Sequence, residues 1–428
     1  MNWNASLVCL AENWTVPRQL LVRATKARNN VTALPHDTAL LDIRASIPEN
    51  KNIVIRDELR LFSLPAALIE SSPRYFRQNQ TDMRAALSMV RDASEVLEGL
   101  LEGGHSVVAG RLAGAFRNIG RNRIADDIVR TMRAAGYDVR EKDPFETQIP
   151  VGLPERERSP YVNRIRIMWQ EMREPIIKRF PAAPGIPMNV DKYLKRVEEV
   201  YVTDAYHSLS IEGYRVSPEL IERVRSGAWN PDDKENDREH RNALAASGYW
   251  QAYQAVQESL GKILHDENPG TVVDNDHRIW HQEMFEPSVT AGILKPADLA
   301  GYRNIRVHIR RSMHVPPSHE AAHDAMPAFF DLLREETEAS VRVVLGHFIF
   351  VYIHPYVDGN GRMGRFLMNT MLASGGYPWT VIPVEERNEY MAALEEASVG
   401  QNIGPFTDFL AQLVNAGLEG KAAPKLPS

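Results

Sequence analysis

Residues 341–353 are so rich in apolar side chains that a helix built from them would be apolar nearly all round. A helix of this kind is buried among other elements, so the sequence predicts a central helix of the core. The run stops at His354, and a second apolar stretch, residues 367–372, follows a glycine-rich turn. Glycines and a proline at 375–378 end the second stretch. The pattern predicts two helices joined by a short loop.

The loop carries the residues for holding a phosphate chain. Gly359, Asn360 and Gly361 can adopt positive φ angles, which turn successive backbone N–H groups inward at the start of the second helix. Such a turn binds anions because helix N-termini carry free N–H groups. Arg362 and Arg365 are three residues apart, so they share a helix face and can both donate to phosphate oxygens. The spacing predicts a polyphosphate site.

Two further residues of the loop suggest chemistry at that site. Asp358 offers a carboxylate for Mg²⁺, which is often held by one or two carboxylates together with substrate phosphates. His354 is the group here that can accept a proton near neutral pH. Separately, a tight turn and a structural histidine before proline would explain these residues equally well. The complete spacing over residues 354–365 favours the functional interpretation.

Residues 354–365 resemble the signature of Fic-domain proteins, His-Pro-Phe-x-Asp/Glu-Gly-Asn-Gly-Arg-x-x-Arg, with Tyr356 in place of Phe. The resemblance implies a protein adenylyltransferase, which transfers AMP from ATP to a Tyr, Thr or Ser hydroxyl of a protein (AMPylation). It implies that His354 deprotonates this hydroxyl and that Asp358 holds Mg²⁺ between phosphates. It assigns phosphate contacts to the remaining motif residues, Gly359, Asn360, Gly361, Arg362 and, for the γ-phosphate, Arg365.

The flanking sequence extends the resemblance to residues 160–418. Residues 305–309 alternate like a strand, and the resemblance implies that 301–317 is the flap, a β-hairpin over the active site. Its edge would bind the target protein through Val307, His308 and Ile309. An open edge suits the addition of an extended peptide, although an ordinary edge hairpin would show the same alternation.

Two other positions follow from the same comparison. Tyr390, with Arg387 and Ser398, falls where family members close the adenine and ribose pocket, so the resemblance implies that Tyr390 contacts ATP. His347 lies two helical turns before His354, and we interpret it as a packing or positioning histidine.

A second motif predicts regulation. The stretch from about residue 190 to residue 212 has apolar side chains at helical spacing. The pattern Ser208-x-x-x-Glu212-Gly213 lies at its end. The pattern matches the family's inhibitory motif, Ser/Thr-x-x-x-Glu-Gly/Asn. The resemblance implies that Glu212 forms an ion pair with Arg365 and withholds it from the γ-phosphate. A carboxylate at a helix end followed by a glycine cap is the alternative explanation.

The chain is therefore predicted to be mainly α. We expect a Fic helical-bundle domain over residues 160–428, with the flap hairpin inside it, and a mixed α/β accessory domain of open function over residues 1–147. Proline, glycine and alternating charges predict a linker at 148–159.

Composition narrows the class of protein. The net charge of −6, with 43% hydrophobic and 25% charged residues, is typical of a globular protein and argues against a global basic field for nucleic acid. The arginine-rich stretch 110–133 could contact DNA or an acidic partner, but a solvated helix face explains it better. A lone cysteine, Cys9, and the lack of a basic leader or an apolar run of about 18 residues predict a cytoplasmic protein without a membrane span.

Three functions fit these observations. The favoured one is Mg²⁺-dependent adenylylation of a protein, restrained by Glu212 and able to modify the enzyme itself. The second keeps the site but removes AMP, moves phosphate or uses another nucleotide, with Glu212 positioning water for removal. The third is a regulatory binding protein whose Fic site senses nucleotide, although such a protein would not need His354. A homodimer is compatible with each.

Overall fold

The computed structural model describes residues 1–145, 159–229, 237–295, 301–421 and 423–427. The chain divides into two compact units: Met1–Glu171 with His308–Pro317, and Met172–Val307 with Ser318–Ser428. The predicted linker at 148–159 lies outside the described residues except for Ser159, so the predicted domain boundaries stay predictions.

The first unit combines short strands with helices. Its strands are β1 (Gln19–Ala24), β2 (Val31–Leu34), β3 (Thr38–Arg44), β4 (Ile53–Arg56) and β5 (Leu59–Phe62). Its helices are α1 (Trp3–Leu10), α2 (Leu64–Glu70), α3 (Pro73–Gln78), α4 (Gln80–Ser88), α5 (Ser94–Glu102), α6 (Ser106–Asn118) and α7 (Asn122–Ala134), and α8 (Pro160–Arg179) begins in this unit.

The strands form two small sheets. In one sheet β3 lies between β1 and β2, parallel to β1 and antiparallel to β2, with Leu41 opposite both Leu21 and Val31. In the other, β4 and β5 form a hairpin joined by Asp57 and Glu58, whose φ angles of 48° and 64° are those that a two-residue hairpin loop requires.

Helices α2 to α7 surround the apolar core of this unit. Arg164 is buried and donates to Asp82 Oδ1 at 2.6 Å and to the Ala11 carbonyl at 2.9 Å, so its charge is matched inside the protein. The arginine-rich stretch is also matched, because Arg117 pairs with Asp126 at 2.7 Å and Glu141 at 2.6 Å. This pairing favours the solvated-face interpretation over contact with nucleic acid.

The second unit is helical. Its helices are α9 (Val190–Ile211), α10 (Pro218–Arg225), α11 (Asp237–Leu264), α12 (Pro269–Thr290), α13 (His319–Glu335), α14 (Ala339–Ile353), α15 (Asn360–Ser374), α16 (Arg387–Ser398) and α17 (Gly404–Leu418). The prediction of a mainly α chain with small sheets in its N-terminal part is confirmed. Within the described ranges, no helix has an apolar stretch that would span a bilayer.

Helix α14 is the predicted central helix. Every residue of α14 except Val351 is buried, and the helix packs against α13, α15, α16 and α17. The contact with α15 is especially close, because a Cβ atom on Gly364 would lie 2.8 Å from Val351 Cγ1. The two helices and the loop between them therefore form one rigid element.

The structure differs from the predicted flap hairpin. Residues 301–317 are all described, and none of them lies in a strand. Val307 and Ile309 are partly buried while His308 is exposed, but Ile305 is 56% exposed, so the alternation of side chains is present only over residues 307–309. An alternation fixes which way side chains point, but a β-strand also needs a neighbouring strand for its backbone hydrogen bonds.

Candidate active site

Helix α14 ends at His354, the predicted base. This residue has a left-handed backbone (φ 53°, ψ 59°), and its N–H donates to the Phe350 carbonyl at 3.0 Å. Histidine tolerates this conformation better than branched residues do. The left-handed residue turns the chain out of the helix axis and carries the imidazole into the loop.

A buried arginine holds that helix end. Arg303 is 1% exposed and donates through Nε to the His354 carbonyl at 2.8 Å, while its backbone N–H donates to the Pro355 carbonyl at 2.8 Å. A cation is favourable here because the C-terminal end of a helix carries partial negative charge. No sequence pattern marks this role of Arg303, since the helix end that it holds lies about fifty residues away.

The His354 ring is suited to accept a proton. Its Nδ1 lies 3.3 Å from the Val351 carbonyl, which can only accept, so the neutral ring carries its proton on Nδ1 and leaves Nε2 free as an acceptor. The pKa of His354 is lowered to about 4, mainly by burial; the hydrogen bond to the Val351 carbonyl opposes this shift, and the charge of Arg303 adds to it. The ring is therefore uncharged at neutral pH.

Asn360 closes the loop. Its side-chain Oδ1 accepts from the Tyr356 N–H at 3.0 Å, and its Nδ2 donates to the Tyr356 carbonyl at 2.8 Å. The Tyr356 ring stacks on His281 at 3.8 Å between centroids. Since both ends of the amide are engaged, the predicted phosphate contact of Asn360 would have to come from its backbone N–H.

The glycine turn begins α15. Gly359 has φ 86°, and a Cβ atom there would lie 2.8 Å from the Phe285 ring, so only glycine fits without strain. The first N–H groups of α15 have no acceptors within their own helix. Together with the helix dipole, they provide the predicted anion-binding turn.

Asp358 stands at the edge of this turn. Its Oδ1 accepts from the Gly359 N–H at 2.6 Å, and its side chain is 69% exposed. In the described part of the chain, no group of three or more His, Cys, Asp or Glu side chains gathers as a metal site. A single accessible carboxylate fits Mg²⁺ that takes its other ligands from phosphates and water.

Both predicted arginines lie in the first turns of α15, and both are buried. Arg362 is 2% exposed, and Arg365 is 3% exposed. Among the described residues, Arg362 Nε and Arg365 Nη1 have no hydrogen-bond partner. Buried N–H donors are nearly always satisfied in proteins, so these two positions fit an anion such as a phosphate.

Arg365 is held by the end of α9. Its Nη2 donates to Glu212 Oε1 at 2.8 Å and to the Ser208 carbonyl at 3.0 Å, and its Nε donates to Ser208 Oγ at 2.9 Å. Burial is the largest influence on the pKa of Arg365 and lowers it, but Glu212, Tyr390 and Tyr249 together raise the pKa above its ordinary value. The two residues predicted to pair are therefore in contact.

The helix end that presents Glu212 is also a glycine cap. Gly213 has φ 88°, and its N–H donates to the Ser210 carbonyl at 3.0 Å, while the Tyr214 N–H donates to the Leu209 carbonyl at 3.1 Å. These two bonds define a Schellman motif, which satisfies the last carbonyls of a helix. The interpretation of Ser208-x-x-x-Glu212-Gly213 as an inhibitory motif and its interpretation as a glycine cap are thus compatible, because the cap orients the Glu212 carboxylate.

Glu212 lies directly over the glycine turn. A Cβ atom on Gly361 would be only 2.3 Å from Glu212 Oε1. The carboxylate therefore lies directly against the first turn of α15.

His347 and Tyr390 are buried together behind the site. His347 Nδ1 lies 2.7 Å from the Gly364 carbonyl, and its Nε2 lies 2.8 Å from the Tyr390 hydroxyl. Burial lowers the pKa of His347 to about 3, so the ring is a neutral bridge between α14, α15 and α16. Tyr390 is 1% exposed, so the predicted ATP contact of this residue stays a prediction.

The remaining predicted contacts are with the target protein. Val307 belongs to the second unit, and His308 and Ile309 belong to the first. Their role in target binding stays a prediction.

The part of the chain that carries this site is similar to a known protein family. Residues 274–372, which include α14, the loop and most of α15, match the Fic/DOC family. The chain is 26% identical over 275 residues to protein adenylyltransferase Fic of Nematostella vectensis, covering 63% of this chain and 60% of that protein. It is 31% identical over 226 residues to protein adenylyltransferase Fic of Drosophila virilis, covering 52% and 43%.

Among solved structures, Fic-1 (residues 134–508) from C. elegans is similar at a TM-score of 0.44 and 18% identity, covering 83% of this chain and 94% of that one. The chain spans about two fifths to three fifths of the length of the curated relatives named above. The similarity to the Fic/DOC family thus lies in residues 274–372, the part of the chain that carries the loop and both flanking helices.

The contact between Gly361 and Glu212 predicts the behaviour of Gly361→Ala. The new methyl group would displace the carboxylate and break its ion pair with Arg365. We expect the free energy of unfolding to fall by about 1–3 kcal/mol, the range for a lost hydrogen bond to a charged group. Urea denaturation measures this value.

The control is the same change in a Glu212→Gly background, where no carboxylate stands in the way. There Gly361→Ala should be neutral or slightly stabilising, since alanine is the better helix former. Equal destabilisation in both backgrounds would show that Glu212 does not lie against Gly361.

Proposed function

We propose that this protein is an adenylyltransferase that transfers AMP from ATP to a hydroxyl group of a protein side chain and is restrained by Glu212. One observation carries the proposal: a neutral imidazole, a glycine turn and two buried arginines with free donors converge at the start of α15. The adenylyltransferase names of the sequence relatives support it.

His354 would act as the general base. As the target oxygen attacks the α-phosphorus, Nε2 takes the hydroxyl proton, a new P–O bond forms, and the bond to the β-phosphate breaks with release of pyrophosphate. The low pKa of His354 supports this role, because the ring is already uncharged at neutral pH and can accept a proton directly.

The turn and the arginines would bind the phosphates. Backbone N–H groups of Gly359, Asn360 and Gly361 and the guanidinium of Arg362 would hold them, and Arg365 would bind the γ-phosphate. Mg²⁺, when bound with ATP at Asp358, would offset the negative charge of the phosphates.

Glu212 would restrain the reaction through Arg365. While the pair is formed, Nη2 and Nε of Arg365 are engaged by α9, and a carboxylate faces the turn that an anion would enter. A phosphate would find the Nη2 and Nε donors of Arg365 already engaged, and it would be repelled by the negative charge of Glu212. ATP would then bind poorly or in a position unsuited to attack.

The target would be a protein with an accessible Tyr, Thr or Ser hydroxyl, in a reaction that we place in the cytoplasm. We assign target contact to Val307, His308 and Ile309, because an extended segment can add a peptide strand along its backbone. The same reaction on a hydroxyl of the enzyme itself would give self-modification.

Incubation with labelled ATP tests the proposal. Label on the α-phosphate should become bound to protein, with a mass increase of one AMP, whereas label on the γ-phosphate should not. Transfer of the γ-label would instead favour phosphate transfer, and release of AMP from modified protein would favour the reverse reaction.

The base assignment predicts the effect of His354→Ala. AMP transfer should fall by about 10²–10⁴, the usual contribution of a general base, while ATP binding is retained because the turn does not use the imidazole. His265→Ala, at an exposed histidine, is the control and should keep full activity.

The same residue makes a pH prediction. In the ligand-free protein, His354 should become charged only as the pH falls through about 4, and it should remain neutral from about pH 5 upward. NMR titration of its ring signal, identified by its loss in His354→Ala, measures this. A midpoint near 6.5 would show that the ring is not held as described.

The metal assignment predicts that Asp358→Ala raises the Mg²⁺ concentration needed for half-maximal transfer. Losing a residue that only hydrogen-bonds to a metal ligand lowers the metal affinity by about 10–100-fold. Losing the ligand itself should therefore raise the required Mg²⁺ concentration at least about tenfold. Asp324→Ala, at an exposed position on α13, is the control. An unchanged Mg²⁺ requirement in Asp358→Ala would remove the carboxylate from the metal site.

The restraint predicts that Glu212→Gly raises AMP transfer, with self-modification as the simplest measure. The gain should require Arg365, so it should disappear in an Arg365→Ala background. A gain that persists without Arg365, or a fall in transfer, would contradict the restraint. Loss of AMP removal in Glu212→Gly would favour the hydrolytic alternative.

A further inference from the structure

The turn that ends α9 also touches the other arginine of the site. We propose that Tyr214 is a positioning residue that holds the guanidinium of Arg362 for phosphate binding. The inference rests on the proposed function and goes beyond it. It gives the turn two opposed roles, since Glu212 withholds Arg365 while Tyr214 organises Arg362.

Arg362 lies between two aromatic rings. Its Cζ is 5.3 Å from the centroid of Tyr214 and 5.0 Å from the centroid of Phe285. Asp358 Oδ1 is 3.7 Å from Arg362 Nη2, which is too long for a hydrogen bond, and that carboxylate is largely exposed. Cation–π contacts with the Tyr214 and Phe285 rings are therefore the main interactions of the buried Arg362 guanidinium.

This kind of hold leaves the donors of Arg362 available. The five N–H groups of a guanidinium lie in its plane, and aromatic rings attract its charge without accepting those hydrogens. Arg362 Nε indeed has no hydrogen-bond partner among the described residues. A phosphate can thus be bound without first breaking a hydrogen bond to Arg362.

The position of Tyr214 is fixed by the end of α9. Tyr214 follows Gly213 in the helix cap, and its own N–H donates to the Leu209 carbonyl at 3.1 Å. The turn is anchored on its two sides, because Arg387 Nε donates to the Ile211 carbonyl at 2.8 Å and the Arg215 N–H donates to Asn242 Oδ1 at 3.2 Å.

Phe285 is fixed by the loop itself. Its ring lies 2.8 Å from the position that a Cβ atom on Gly359 would occupy. The Arg362 guanidinium is therefore contacted by Tyr214, from the end of α9, and by Phe285, from α12. Removing the whole turn should damage the phosphate site even though it removes the restraint.

The test uses Glu212→Gly as the parent, so that the restraint is absent. In this parent, Tyr214→Ala should raise the KM for ATP by roughly two- to thirtyfold, the range for a cation–π contact, and should change kcat much less. Tyr214→Phe keeps the ring and should restore the KM. Tyr214→Leu has apolar bulk without a ring face and should behave like Tyr214→Ala.

A binding measurement makes the test independent of catalysis. In a His354→Ala, Glu212→Gly protein, calorimetry should show weaker ATP binding for Tyr214→Ala and Tyr214→Leu by the same factor, with binding retained in Tyr214→Phe. If Tyr214→Leu binds ATP as tightly as its parent, the positioning role is overturned. The Leu and Phe variants decide the question even if Tyr214→Ala fails to fold.

Two other outcomes are informative. If Tyr214→Leu in the otherwise wild-type chain raises transfer as much as Glu212→Gly does, Tyr214 is part of the restraint, and the positioning role is wrong. If Glu212→Gly transfers no AMP at all, the proposed function fails, and the calorimetric comparison alone decides the role of Tyr214.

Discussion

The site depends on the burial of Arg365. A guanidinium that is 3% exposed must be matched by anions or carbonyl groups, since an unpaired buried charge costs several kcal/mol. Here the matching groups come from α9, through Ser208 and Glu212. Any state in which α9 withdraws must therefore supply another anion, and a phosphate of ATP is chemically suited to do so. Under the proposed function, inhibition and nucleotide binding would be two ways to meet one electrostatic requirement.

The position of Glu212 is electrostatically unfavourable by itself. It stands at the C-terminal end of a helix, where the partial negative charge disfavours a carboxylate. The cation of Arg365 offsets this, and so does Arg387, whose side chain donates to the last turn of α9. The helix end is thus stabilised by two arginines that act from different elements.

Local features of the sequence predicted local structure well. The apolar run predicted α14, and the glycines and arginines after it predicted a helix start with two guanidinium groups on one side. The contact between Glu212 and Arg365 joins residues 153 positions apart, so it could be predicted only through the resemblance to a family.

Tertiary contacts account for what was missed. Arg303, Phe285 and Tyr214 act on backbone atoms or on a guanidinium far along the chain, and no spacing marks them. The closure of the loop by the side-chain amide of Asn360, which binds both backbone groups of Tyr356, was also not predicted. The strand-like pattern at 305–309 carried information about side-chain direction and none about a partner strand.

The closeness of Glu212 to Gly361 has a consequence for ligand affinity. A group tethered to the protein competes with a free ligand at a constant effective concentration, whatever the amount of protein. Under the proposed function, the apparent dissociation constant for ATP would be the intrinsic value divided by the fraction of molecules in which the carboxylate is displaced. The stability of one helix end would then set the nucleotide concentration at which ATP binds, so a substitution far from the nucleotide would change it by loosening α9.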